Sequence, residues 1–478
     1  MGGLPWYFPC TTQDRFFRPK ILEYFMTVPP VSDTQRRLVM LCAVLGIVLG
    51  GLDGAIANIA LPTISHDLNC SATLTVWIVN VYHLTVAVSL LPAAALAGSL
   101  GLKRVYGFGM ALFTAASLAC ALSGSLNILI GARVVQGLGA ACMGALSGAL
   151  VRSVYPRAML HQAFAMIALA VAISAAVGPT LAAAVLAVAT WPWLFLINVP
   201  IGLMAVALFL RAAPASPRAP FSFDWVGTLL NVGALGLGIL GVDAYGQKED
   251  ELAVIEIGTG LLCTILLYGQ QKRQKTPMLP LDLLVIPLFS LSILTSICAY
   301  AAQILAYVAL PFLFQTTMHQ SAVTTGLLVT PWPLLVAAAA PFAGRLATRH
   351  PASVLSSIGL SILATGLATL SVMPAHPAFW NVAWRMALCG VGFGFYQTPN
   401  NLTVMTSGPV TRSGAASGML AVARTIGWAL GSALVALVFG VSHESGGAVH
   451  CLELATGFAL LGAVLSVSRR VVRYEAGQ

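Results

Sequence analysis

The chain has 478 residues, of which 58% are hydrophobic and only 8% charged, with a mean hydropathy of +0.89. Soluble domains are about half apolar and roughly a quarter charged, so composition excludes a soluble domain and leaves a polytopic helical membrane protein. A net charge of +9 would suit nucleic acid only as a basic face on a soluble domain, and its distribution along the chain gives no such face.

Residues 1–37 are mixed in character, lack the apolar core of a signal peptide, and read as a cytoplasmic tail, with Met26 and Met40 as alternative starts. Crossing the hydrocarbon takes about 20 apolar residues. Runs of that length centre on 39–60, 73–97, 104–124, 127–150, 161–188, 193–211, 224–244, 252–270, 287–313, 322–346, 353–373, 379–404, 411–440 and 451–468, which predicts fourteen spans. Positive charge concentrates on cytoplasmic loops. Arg15, Arg18, Lys20, Arg36 and Arg37 precede the first run. Lys103 and Arg104, Arg152 and Arg157, Arg211 and Arg218, Lys272, Arg273 and Lys275, Arg345 and Arg349, Arg412, and finally Arg469, Arg470 and Arg473 follow at every second turn. The opposite side carries only Lys248. The pattern predicts that both termini face the cytoplasm, and it makes the basic balance an insertion signal.

Asp53 sits near the end of the first run, in Leu52-Asp53-Gly54-Ala55-Ile56-Ala57-Asn58-Ile59-Ala60-Leu61-Pro62. An acid at membrane depth is costly and is usually paired or functional. The second run carries Asn80, Tyr82 and His83, and ends in the turn Gly98 to Arg104. Arg133 opens Arg133-Val134-Val135-Gln136-Gly137 in the fourth run. A guanidinium stays protonated, so Asp53 and Gln136 are its natural partners. Two readings are open: an ion pair that only orients helices, or an arginine that tunes the proton affinity of the acid, because a nearby cation and desolvation act on a carboxylate in opposite directions. Gly178-Pro179 in the fifth run couples a lost backbone donor to close packing.

Further along, Gly236 to Gly241 satisfies the dinucleotide-binding glycine pattern, but inside an apolar run with no preceding strand, which argues against such a site. Polar residues return at Gln303 and Tyr307, at Tyr396, Gln397, Asn400 and Asn401, and at Arg424 and Trp428. The nine cysteines show neither metal spacing nor a disulfide framework; Cys70 and Cys451 form the one pair expected to share an outer face. No phosphate-binding glycine–lysine loop occurs, which argues against a pump powered by ATP within this chain.

Landmarks recur about 250 residues apart and in the same order: Ala60-Leu61-Pro62 with Ala309-Leu310-Pro311, Leu96-Ala97 with Leu346-Ala347, Arg133-Gly137-Gly139 with Arg385-Gly390-Gly392, and Met166 and Gly178 with Met419 and Gly431. Repeated halves around a midplane site are a hallmark of secondary transporters. The predicted organisation is a six-helix bundle over 38–215, an inserted helix pair with its loops over 216–284, a second six-helix bundle over 285–470, and a cytoplasmic tail over 471–478. The repeat sets Gln303 opposite Asp53, so any proton is expected on the N-terminal side.

These residues resemble the major facilitator superfamily, in its fourteen-helix drug:proton antiporter branch. The resemblance runs from about Leu38 to Arg470. It is carried by Leu52-Asp53 through Pro62, by Arg133 to Gly137 (motif B), by Gly178-Pro179 (antiporter motif C), and most specifically by Trp191-Pro192-Trp193-Leu194-Phe195-Leu196-Ile197-Asn198-Val199-Pro200-Ile201-Gly202. Ser174, Ala182 and Ala183 stand where motif C has further glycines. The cytoplasmic turns keep Lys103, Arg104, Arg345 and Arg349, yet have Gly98 and Thr348 where the family often has an acid that latches that side.

The resemblance implies two bundles rocking about a central cavity in the cell (inner or plasma) membrane, and proton-coupled efflux of a drug-like or organic molecule. It implies Asp53 and Arg133 as the proton-coupling pair. Asn58, Gln136, Gln303, Tyr307, Tyr396, Gln397 and Trp428 are the substrate-cavity candidates, and Gly98, Lys103, Arg104, Gly137, Gly178, Pro179, Arg345 and Arg349 the gating and motif positions. No metal or cofactor is expected beyond a proton gradient, no catalytic group, and a monomer in lipid with an open question of a periplasmic adaptor. A metabolite uniporter or symporter, or a transport-inactive membrane sensor, are the alternatives.

Overall fold

The computed structural model describes residues 32–156, 159–214, 223–246, 248–274, 279–374, 377–409, 412–442 and 444–475. The expected loop charges at Arg15, Arg18, Lys20, Arg157, Arg218 and Lys275 lie outside them.

Lipid offers no partner for backbone N–H and C=O groups, so each spanning segment satisfies its own as a helix. The first bundle consists of α1 (Asp33–Asp67), α2 (Ala72–Leu100), α3 (Leu102–Ala121), α4 (Leu126–Val154), α5 (Leu160–Val188) and a rod broken into α6 (Pro192–Leu196) and α7 (Asn198–Ala212). A helical hairpin follows, α8 (Trp225–Gly246) and α9 (Asp250–Arg273), then the short α10 (Leu281–Leu284). The second bundle consists of α11 (Pro287–Phe312) with a π-helical end over Leu313–Thr317, α12 (Ala322–Val329) running into α13 (Pro331–Leu346), α14 (Ala352–Ser371), α15 (Phe379–Thr406), α16 (Ser413–Val441) and α17 (Glu444–Glu475). Among the described residues, 12 helices are long and apolar enough to cross a membrane. Beyond those twelve, α5 and α15 stand where the fifth and twelfth spans are expected.

Local chemistry sets the ends. The hydroxyls of Ser32, Ser71 and Ser321 cap α1, α2 and α12 by accepting from Gln35, Leu74 and Thr324 N–H groups, satisfying donors that a helix start leaves open. Proline occupies the first turn of α6, α11 and α13, where a missing N–H costs nothing. Gly101, at φ 94°, ends α2 and begins α3.

The internal repeat is visible in the packing. α1 packs on α5 as α11 packs on α16; α2 and α3 pack on α4 as α13 and α14 pack on α15; α3 meets α6 and α7 as α14 meets α17. Matching glycines make the close approaches. A Cβ on Gly137 would stand 3.0 Å from the Tyr82 carbonyl, and one on Gly390 2.3 Å from the Trp332 carbonyl. One on Gly139 would meet the Gly109 carbonyl and Phe113 N, and one on Gly392 the Gly359 carbonyl and Leu363 N, the contacted residues lying about 250 positions on.

The bundles meet where α2 packs on α16 and α5 on α12 and α13. Hydrogen bonds across the seam among the described residues are Thr63 to Gln315, Gln315 to the Ile59 carbonyl, Thr180 to Thr330 and Ser432 to Asn80. All lie in the half of the molecule nearer the α1–α2 turn. The hairpin leans on this seam through α8, which packs on α2 and α16; Asn231 donates to the Val88 carbonyl and Trp77 to Asp243.

One expectation needs amending. Arg469, read as a tail charge, is 1% exposed on α17, which continues to Glu475. It donates to Ser292 Oγ at 2.9 Å, Asn400 Oδ1 at 2.8 Å and Ser466. Its neighbours are two serines and an asparagine spread over α11, α15 and α17, and so invisible as a cluster in the linear chain. Cys70 and Cys451 are both free thiols, Cys451 buried.

Candidate functional site

Asp53 and Arg133 are brought together at the centre of the first bundle, 2% and 0% exposed. Arg133 Nη1 donates to Asp53 Oδ2 and, at 2.6 Å, to Gln136 Oε1, and its Nε donates to the Ile78 carbonyl at 3.0 Å. Gln136 turns its amide back to Asp53 Oδ1 at 2.8 Å and to Ser117 Oγ at 2.9 Å. Asn198, at the start of α7, donates to the same Asp53 oxygen at 3.1 Å. Donors from α4 and α7 thus converge on one carboxylate of α1, and the guanidinium lies 4.1 Å above the Tyr82 ring and 5.6 Å from that of Phe195. Charge at this depth is tolerated because it is paired, hydrogen-bonded and stacked on aromatic faces.

The pairing of Arg133 with Asp53 and Gln136 was readable from their depth and spacing. Asn198 and Ser117 were not singled out as site residues, although an asparagine inside the irregular Trp191–Gly202 block was a signal for the first. Gln136, expected to line a cavity, is fully buried in the acid cluster instead. Its repeat logic also breaks: Arg385 sits half-buried, donating to the Asn381 carbonyl and 4.8 Å over the exposed Trp384 ring.

A second polar group lies at the seam. Trp428 donates to Gln303 Oε1 at 3.2 Å, and Gln397 donates to Tyr300 Oη at 2.9 Å. Trp428 has the rings of His83 at 5.2 Å and Tyr300 at 5.8 Å. Tyr82 and His83, neighbours on α2 with rings 5.4 Å apart, therefore touch both groups, one under Arg133 and the other against Trp428. Tyr300 and His83 are the seam residues missing from the expected cavity set. Of that set, Tyr307 lies aside on Trp332 at 4.9 Å, Tyr396 is buried in the second bundle against Phe393, and Asn58 is buried on α1 with Oδ1 unpartnered among the described residues.

The motif glycines act as contact points. A Cβ on Gly178 would fall 2.5 Å from that of Ala55, two residues from Asp53, and Gly326 of α12 sits against the Pro179 carbonyl and Ala183. Gly178-Pro179 therefore marks the crossing of α1, α5 and α12. At the α2–α3 turn of the first half, Lys103 donates to the Ala213 carbonyl at 2.6 Å, beyond the end of α7. Arg104, Arg345 and Arg349 are exposed, and a Cβ on Gly98 meets nothing within 4 Å.

The sequence profile described as Major Facilitator Superfamily matches residues 43–432. The chain belongs to the Major Facilitator Superfamily. It is 44% identical over 435 residues to the uncharacterized transporter YebQ of Escherichia coli K12, covering 90% of this chain and 95% of YebQ. It is 33% identical over 410 residues to the multidrug resistance protein Stp of Mycobacterium tuberculosis, covering 84% and 75%. The fold is shared with a bacterial homologue of the human lysosomal transporter Spinster at a TM-score of 0.66 and 13% identity, over 92% of this chain and 97% of that one. This superfamily member is a multi-pass membrane transporter and not an enzyme.

Proposed function

We propose that this transporter exports an organic small molecule in exchange for protons, by alternating access across the cell (inner or plasma) membrane. In this reading the chain spans the bilayer fourteen times, counting α5 and α15, with both termini on the cytoplasmic side of the basic loops. The observation that carries it is the buried acid Asp53, clamped by Arg133 and Gln136 of α4 and by Asn198 of α7. α2 is shared by this clamp and the seam, through Tyr82 and His83, so rocking of the bundles acts on the clamp. Drawing Arg133 away leaves a desolvated carboxylate, which takes up a proton rather than stay charged without a partner; restoring the pair expels it. Efflux is favoured over uptake by the likeness to Stp, named for multidrug resistance.

The test is a compound-susceptibility screen in an efflux-deficient host, followed by transport of any hit in proteoliposomes with an imposed pH gradient. Asp53→Asn is expected to abolish gradient-driven export while the protein still inserts. Undiminished proton-coupled transport by that variant removes Asp53 from the mechanism. Proton flux in the same direction as the substrate, or none, turns the reading to symport or uniport.

A further inference from the structure

On α16, Trp428 and Ser432 face the other bundle, meeting His83 and Asn80 of α2. Residues four apart share a helix face, so Arg424 extends that face one turn toward the start of α16. Its guanidinium carbon stands 5.4 Å from the Trp428 ring, and its Nε is buried with no hydrogen-bond partner. Among the described residues it has neither an ion pair nor a hydrogen bond. The two fully buried arginines differ, Arg133 having a carboxylate and Arg469 a surround of oxygen acceptors, and Arg385, whose Nε is likewise buried and unpartnered, at least donates to the Asn381 carbonyl. A guanidinium keeps its charge in the bilayer and requires a counter-group there, and Asp53 already has its own. Around Trp428 the seam presents Tyr300 and Gln303, with Gln397 bonded to Tyr300, all neutral and half-buried or buried.

We infer that the transported compound is a planar organic anion, whose carboxylate or sulfonate group pairs with Arg424 while its ring stacks on Trp428 and Tyr300. A guanidinium fork binds such groups with two parallel hydrogen bonds, and the aromatic faces select a flat ring. The inference rests on the transport reading of this seam.

Three fluorescent anthracene probes that differ only in the side group, a carboxylate, an alcohol and a primary amine, test it against the full-length protein in lipid nanodiscs. The wild type should bind the carboxylate at least about tenfold more tightly than the alcohol, the scale of one charge-assisted contact. Arg424→Gln should bring the two together, and Arg424→Lys should keep a reduced preference. Equal binding of the three probes by the wild type, or an intact preference in Arg424→Gln, overturns it. The wild-type series decides by itself if a variant misfolds. Asp53→Asn should keep the preference. If that variant still transports with protons while the preference stands, proton coupling through Asp53 fails and the anion site survives.

Discussion

Arg133 is held by a carboxylate, an amide and a backbone carbonyl, with an aromatic ring beneath it. Every one of these compensates a charge that could not otherwise stay at this depth. Removing one member of a buried pair typically costs about 3–5 kcal/mol, because the survivor is left charged and dry. Arg133→Gln should therefore lower the unfolding temperature of the purified protein clearly, and Asp53→Asn combined with Arg133→Gln should recover part of it. A double variant less stable than Arg133→Gln alone would show that the pair is not the reason for the loss. Asn198 is a gentler lever: Asn198→Ala removes one hydrogen bond to the acid, and it should shift the pH dependence of transport before it affects insertion.

Between elements, the decisive contacts are those that admit no Cβ. Gly178 touches Ala55 on the helix that carries Asp53, so Gly178→Ala should impair both stability and transport by forcing α5 off α1. Ala55→Gly removes the opposing methyl and should restore them, measured as melting temperature and transport rate in the single and double variants. Persistence of the defect in the double variant would place the role of Gly178 elsewhere. The α2–α3 turn gives the opposite expectation. Gly98 faces open space, so Gly98→Asp should be tolerated, whereas Lys103→Met loses the bond to the Ala213 carbonyl that ties α3 to the end of α7.

For the whole molecule, the bonds across the seam gather toward one face, and Thr180 and Thr330 have hydroxyls 2.8 Å apart there. A Thr180→Cys/Thr330→Cys pair should oxidise to a disulfide, joining α5 to α13. If the bundles rock, the bridge blocks transport until a reductant is added, read as an oxidation-dependent gel shift alongside the transport assay. Full transport by the bridged protein would rule out separation of the bundles at this point.

The membrane class, the repeat and the meeting of Arg133 with Asp53 were legible in the linear chain, because each follows from a local rule. Long apolar runs must be helices in lipid, a repeated order of landmarks implies repeated packing, and buried opposite charges seek each other. Arg469 shows where such rules stop: its polar neighbours come from three helices more than a hundred residues apart in part, and a basic residue near the chain end reads as solvent-facing until the bundle closes around it. The same holds for Asn198 on the acid, for Gln136 turning inward, and for Arg424 standing unpaired beside Trp428. Helix existence is set by composition along the chain, but the direction a polar side chain faces depends on the rotation of its helix against several others, which only the packed bundles fix.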